Sequence, residues 1–180
     1  EAGEVVEQAV PFPAFSVLKG AEAFRTPLGD VPVDREAVAV LEEKGIRVFE
    51  PSHQYEHSLE VQLPFLQAVL GEFSIVPVVV GEARPQAVAN LLETLWGGPE
   101  TLIVISSDLS HYLHYDEARA QDSATCRRIE QFDTQIDHED ACGATPLRGL
   151  LLAAKHHGLH VRTLDLRNSG DTEGDRDFVV

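Results

Sequence analysis

The chain has 180 residues, with 30 acidic against 14 basic side chains and a formal net charge of -16. A field of that sign repels nucleic acid and anionic membranes, so neither is an expected partner. With 43% hydrophobic residues, the chain can bury one substantial core, and a single domain over residues 1–180 is expected.

Taken in chain order, "AVPFPAF" is apolar but broken by Pro11 and Pro13, which predicts an extended edge or loop. "FRTPLGDVPVD" carries the turn formers Pro27, Gly29 and Pro32. Asp34 is the expected N-cap of a helix over "REAVAVLEEKG", with Gly45 as its stop. "IRVFE" reads as a strand. In "HSLEVQLPFLQAVL", Leu59, Leu63, Leu66 and Leu70 fall at helical spacing, with Ser58 as N-cap. Pro64 requires that this helix kink there or start nearby.

"FSIVPVVVG" reads as a buried strand closed by Gly81, and "RPQAVANLLETLW" as a helix with Pro85 in its first turn. "TLIVISS" is the next predicted strand. "YDEARAQDSATCRRIEQF" is a long amphipathic helix with acids at its start. "TPLRGLLLAAKHHG" is another, with Thr145 as N-cap, Pro146 at the first helical position and Gly158 past the end. "LHVRTLDLR" alternates as a strand does. This order predicts an α/β protein with a largely parallel or mixed sheet flanked by helices.

The longest apolar run, "IVPVVV", is far too short to span a bilayer, and no signal segment is visible, which points to the cytoplasm. Cys126 and Cys142 are the only cysteines and form no CxxC pair, which argues against a disulfide framework or a ribbon-type zinc site. The chain has no methionine and stops inside the strand-like "DRDFVV", so both ends read as cuts through a larger fold. On that reading "IVPVVV" and "TLIVI" lack cover. The chain is then expected to be of low stability, or to pair an open edge with a second copy as a homo-oligomer.

Ligands of open α/β sheets bind beyond the carboxyl ends of strands, where "SSDLSH" follows "TLIVI". Asp108 and His111, three apart in a tight loop, can reach one cavity. An imidazole exchanges protons near neutrality, and a carboxylate can orient it or ligate a metal. The plainer alternative makes Asp108 a helix cap and His111 a surface residue. His57 precedes a helix, where the positive dipole end favours a neutral base, although a simple surface histidine has the same look. Cys142 stands just before a helix start, which favours a thiolate able to hold iron, copper or zinc. A small buried core residue is the alternative. "LRNSGD" is another carboxyl-end loop, placing Asn168 and Ser169 with Ser107 as lining residues. His53 and His114 read as surface residues, and His156, His157 and His160 as solvated ones near a helix C-terminus.

Taken together, "FRTPLGD", "EHSLEVQLPFL", "PVVVG", "SSDLSHY", "YDEARAQD", "CGATPLRGLLLAA" and "LDLRNSGD" resemble, in order and spacing, the Memo family. Its bacterial and archaeal members are often named AmmeMemoRadiSam system protein B. The resemblance implies a fold like that of class III extradiol dioxygenases, which cleave catechol rings with non-haem iron. It also implies a redox enzyme of unspecified substrate built on one metal pocket, with iron or copper as the metal. Two histidines and one cysteine normally surround that metal, and Cys142 is the cysteine. Asp108 and His111 come beside the metal, where the dioxygenases place a general-base histidine, and His57 is a further pocket histidine.

This chain departs from the pattern in two places. The histidine motif "PHAGY" is absent, and Gln8 or Ala9 stands where the "GPSHH" histidine belongs. The alternative function is therefore a binding module that uses the same cleft, with His57, His111 and Arg148, to hold an anionic peptide or small acid without catalysis. Hydrolysis by Ser106 or Ser107 with His111 and Asp108 is the weakest reading, because neighbours in one loop seldom reach triad geometry.

Overall fold

The computed structural model describes residues 13–172 and 174–180. The expectations for Gln8, Ala9 and Pro11 lie outside those residues. A three-stranded sheet has β1 (Phe15–Val17) at its centre, between β4 (Arg47–Val48) and β5 (Val78–Val80). β1 runs parallel to β4 and antiparallel to β5, so the sheet is mixed. The expected edge at "PAF" is thus the middle of the sheet. Pro13 stops short of β1, so no residue of the strand lacks an amide for the ladder.

The turn formers at 24–34 make a hairpin of β2 (Ala23–Thr26) and β3 (Gly29–Pro32). Gly29 takes φ 122°, a conformation open to glycine, and Pro32 closes the ladder at its last pair. Helix α1 (Arg35–Glu43) follows. Asp34 caps it by accepting from the Ala37 amide at 2.9 Å, as its sequence predicts, and Gly45 sits past its end at φ 86°. Helix α2 (Leu63–Leu70) starts at Leu63, with Pro64 in its first turn and Gln62, not Ser58, in the N-cap place. Helices α3 (Pro85–Leu95), α4 (Tyr115–Glu130) and α5 (Ala144–His156) complete the set. α5 begins earlier than expected, with Gly143 as N-cap, because the Thr145 hydroxyl is engaged by His138 instead.

The main core joins β1 to α1 and α3 through Val17, Val38, Leu41, Val88, Leu91 and Leu92, and α5 lies along α3. There Gly149 meets Val88 so closely that an added Cβ would stand 2.2 Å from the Val88 Cβ. A second cluster packs Ile136, Ala141 and Ala144 under Leu151, beneath the start of α5. Two predicted strands are not strands among the described residues. Residues 101–105 and 159–167 have no ladder, and Leu102, Val104 and Leu164 expose their side chains. Alternating β-branched residues favour an extended backbone, but only a hydrogen-bonded partner makes a strand. Among the described residues, no helix is long and apolar enough to cross a membrane.

Candidate functional site

The loop 106–111 is anchored along its length. Ser106 Oγ accepts from Gln62 Nε2 at 3.0 Å, which ties the loop to the start of α2. It then runs against the turn that opens α5. The Asp108 amide donates to Cys142 Sγ at 3.2 Å, and the Cys142 amide donates back to the Asp108 carbonyl at 3.1 Å. The Gly143 amide donates to Ser107 Oγ at 2.8 Å, and that hydroxyl donates to the Asp108 carbonyl at 2.8 Å. Further on, the Ser110 amide donates at 3.0 Å to Asp122, a buried carboxylate of α4. The Tyr112 amide donates to the Val179 carbonyl at 2.9 Å.

This close approach explains the glycine after Cys142. A Cβ at position 143 would lie 2.7 Å from Ser107 Cβ and 2.8 Å from the Ser106 carbonyl oxygen, so any side chain there drives the loop away. The buckle brings one ligand-type atom each from Asp108, His111 and Cys142 to within 4.8 Å of one another. His111 Nδ1 donates to the Leu109 carbonyl at 3.0 Å. That bond places a hydrogen on Nδ1 and leaves Nε2 facing Asp108 Oδ2 at 3.8 Å. Next to it, Tyr112 takes the left-handed φ of 58°, uncommon outside glycine, which turns the chain sharply after His111.

His138 is a residue that sequence reasoning passed over. Its Nδ1 donates to the Cys142 carbonyl at 3.1 Å and its Nε2 accepts from Thr145 Oγ1 at 3.2 Å, bracing the turn that carries the thiol. Asp122 was also missed. It looked like one more acid on an amphipathic helix, and only its burial marks it. The two cysteines differ in setting. Cys142 is exposed, whereas Cys126 on α4 is half-buried, and that burial pushes its thiol pKa up and keeps it neutral.

The remaining candidates spread outward. Exposed His57 pairs through Nδ1 with Glu60 at 2.7 Å. Asn168 is buried and caps the turn Ser169–Asp171 by accepting from the Gly170 amide at 3.0 Å, while Ser169 Oγ accepts from the Val180 amide at 3.2 Å. None of those bonds reaches the loop 106–111. Ser107 spends its hydroxyl on Gly143 and the Asp108 backbone, so the hydrolytic reading gains no geometry. His53, read as a surface residue, is half-buried beside Ser16 of β1, and burial lowers its pKa. His156 and His157 are exposed, as expected, and both bond Glu93. A groove of about 660 Å³ between the hairpin and the end of α2, lined in part by Leu28, Asp30, Gln67 and Phe73, shares no residue with the cluster.

Comparison with known proteins is consistent along the chain. The family model described as Memo-like protein matches residues 13–180. A MEMO1 family protein of Sulfolobus acidocaldarius is 36% identical over 172 residues, covering 87% of this chain and 61% of its own length. One of Aeropyrum pernix is 38% identical over 174 residues, with the same 87% and 61% coverage. One of Methanosarcina mazei is 36% identical over 173 residues, covering 88% of this chain and 65% of its own. The chain therefore spans less than two thirds of the length of these relatives. No solved structure matches.

Proposed function

Because the chain belongs to the Memo-like family, we propose that Cys142, Asp108 and His111 form the protein's share of a transition-metal pocket with redox chemistry, on a fold related to the extradiol dioxygenases. One observation carries this reading: a thiol, an imidazole nitrogen and a carboxylate oxygen within 4.8 Å of one another, on a loop and a turn that hold each other in place. The donor set fits a first-row metal. Thiolate suits copper(I) and iron, the carboxylate adds a harder ligand or a charge beside it, and the imidazole stands next to them as a proton acceptor. When bound, iron or copper supplies Lewis acidity and one-electron chemistry.

The chain's own residues have separate tasks. Cys142 Sγ would hold the metal, and the Asp108 amide donating to it at 3.2 Å fixes its position against the loop. His111, fixed by Leu109, presents Nε2 as a proton acceptor toward a substrate hydroxyl. Asp108, at 3.8 Å, stabilises the imidazolium that results. Ser107, Gly143 and His138 position these groups. His57, Asn168 and Ser169 belong to this reading only as outer walls of a substrate cleft, and the substrate is a small molecule or peptide of unspecified identity.

A second reading, a cleft that holds an anionic peptide or small acid without chemistry, has one observation behind it. Arg148 Nε is buried and has no hydrogen-bond partner among the described residues. Anaerobic titration of reduced protein with Fe(II) and with Cu(I) separates the two. The metal-pocket reading expects saturable binding of one equivalent that Cys142→Ala removes. Binding that ignores Cys142→Ala, or no binding, rejects it. Thermal stabilisation by small carboxylates, lost in Arg148→Gln, would then favour the second.

A further inference from the structure

We infer that Glu93, His156 and His157 form a second metal site, a surface clip that takes a divalent cation of the zinc, nickel or copper class and joins the C-terminal ends of α3 and α5. Glu93 lies in the last turn of α3. His156 ends α5 and His157 is its C-cap. The residues are more than 60 positions apart in sequence and meet only because α3 and α5 pack side by side. His156 Nδ1 stands 3.3 Å from Glu93 Oε1, and His157 Nε2 stands 3.0 Å and 2.9 Å from its two carboxylate oxygens. One ligand atom from each residue falls within 4.8 Å of the others.

The separations of both imidazoles from Glu93 match those between ligands of one metal. Bonds of about 2.0–2.2 Å at tetrahedral or octahedral angles put neighbouring ligand atoms roughly 2.9–3.5 Å apart. Two imidazoles and one carboxylate are a borderline-soft set, favoured by zinc, nickel and copper over calcium or magnesium. Three further features favour a cation at this place. The negative ends of two helix dipoles converge on it. The His157 ring is fixed by stacking on Trp96, with centroids 4.0 Å apart and planes 5° from parallel. The His156 side chain is 79% exposed, which leaves room for water to complete the coordination shell. On binding, the ring nitrogens that face Glu93 give up any proton they carry, and each hydrogen bond to the carboxylate is replaced by a bond to the metal. The site is independent of Cys142.

Trp96 is the only tryptophan of the chain, so it reports on its neighbour. The test is run in a Cys142→Ala background, which removes the thiolate. Titration with Zn²⁺ by calorimetry is expected to show one equivalent bound. His156→Asn and Glu93→Gln are each expected to weaken it by about tenfold or more. Cu²⁺ is expected to quench Trp96 fluorescence to a plateau at one equivalent, and a chelator in excess to restore it. Because His156 is largely exposed, His156→Asn should keep the circular dichroism spectrum of the parent in metal-free buffer, and Glu93→Gln repeats the test from the other helix. Zn²⁺ binding unchanged in both variants, or Cu²⁺ quenching that never saturates, overturns the assignment.

Discussion

Among the described residues, two clusters of three ligand-type side chains stand out, and they are built in opposite ways. Asp108, His111 and Cys142 are held by backbone: two segments exchange hydrogen bonds from their amides, and a glycine lets them touch. Glu93, His156 and His157 are held by side-chain packing between two helices, with a tryptophan as backstop. A site of the first kind leaves a local signature, because the glycine, the serine and the ligands must sit at fixed offsets within short stretches. A site of the second kind leaves none, because any residue at the right helical position suffices.

The comparison can be broken from either side. Cys142→Ala should have the largest effect, removing iron and copper binding at the first cluster by more than the about 10–100-fold that follows loss of an outer partner. Zinc binding at the second should be untouched. Next comes Gly143→Ala, which changes no ligand. Its Cβ collides with Ser106 and Ser107, so metal affinity at the first cluster should fall about 10–100-fold while chemical denaturation shows a loss of about 1–3 kcal/mol.

Gly149→Ala is the mirror experiment. Its Cβ would strike buried Val88 and push α5 off α3, costing about 1–3 kcal/mol. It should weaken the helix-borne cluster and spare the loop-borne one. If both variants lower both affinities equally, the two sites are not separately built.

The smallest effect comes from outside both clusters. Burial holds folded His53 below the ordinary imidazole value of about 6.5, so as pH falls the unfolded chain takes up that proton first. Its contribution to stability is complete above about pH 6.5 and is lost as pH falls through that value toward the folded one. His53→Gln should flatten that part of the curve of denaturation midpoint against pH, and a curve of unchanged slope would count against the assignment.

How much of this was legible follows the same division. That Cys142 joins Asp108 and His111 was implied by the family resemblance that "SSDLSHY" and "CGATPLRG" help to carry, while the bare residues left each of the three with a plainer alternative. Helices α3, α4 and α5 could be read because 3.6-residue periodicity and proline placement are local. Asp34 was legible as a cap for the same reason. The segments 101–105 and 159–167 were misread because a strand depends on a partner that no local pattern names. The hairpin at 23–32 was missed because Pro27, Gly29 and Pro32 announce a turn without saying that its flanks pair. Glu93 gave no hint of His157, 64 positions away, and His138 looked like any loop histidine until its two bonds were seen.

The central claim is that Cys142 is a metal ligand within a pocket shared with Asp108 and His111. X-ray absorption on His156→Asn protein, in which the helix-borne cluster is weakened, tests it most directly with one equivalent of zinc as a redox-silent reporter. One sulfur scatterer is expected at about 2.3 Å together with nitrogen or oxygen at about 2.0–2.2 Å, with loss of the sulfur shell in the Cys142→Ala double variant. A first shell of nitrogen and oxygen alone in protein that still carries Cys142 would contradict it.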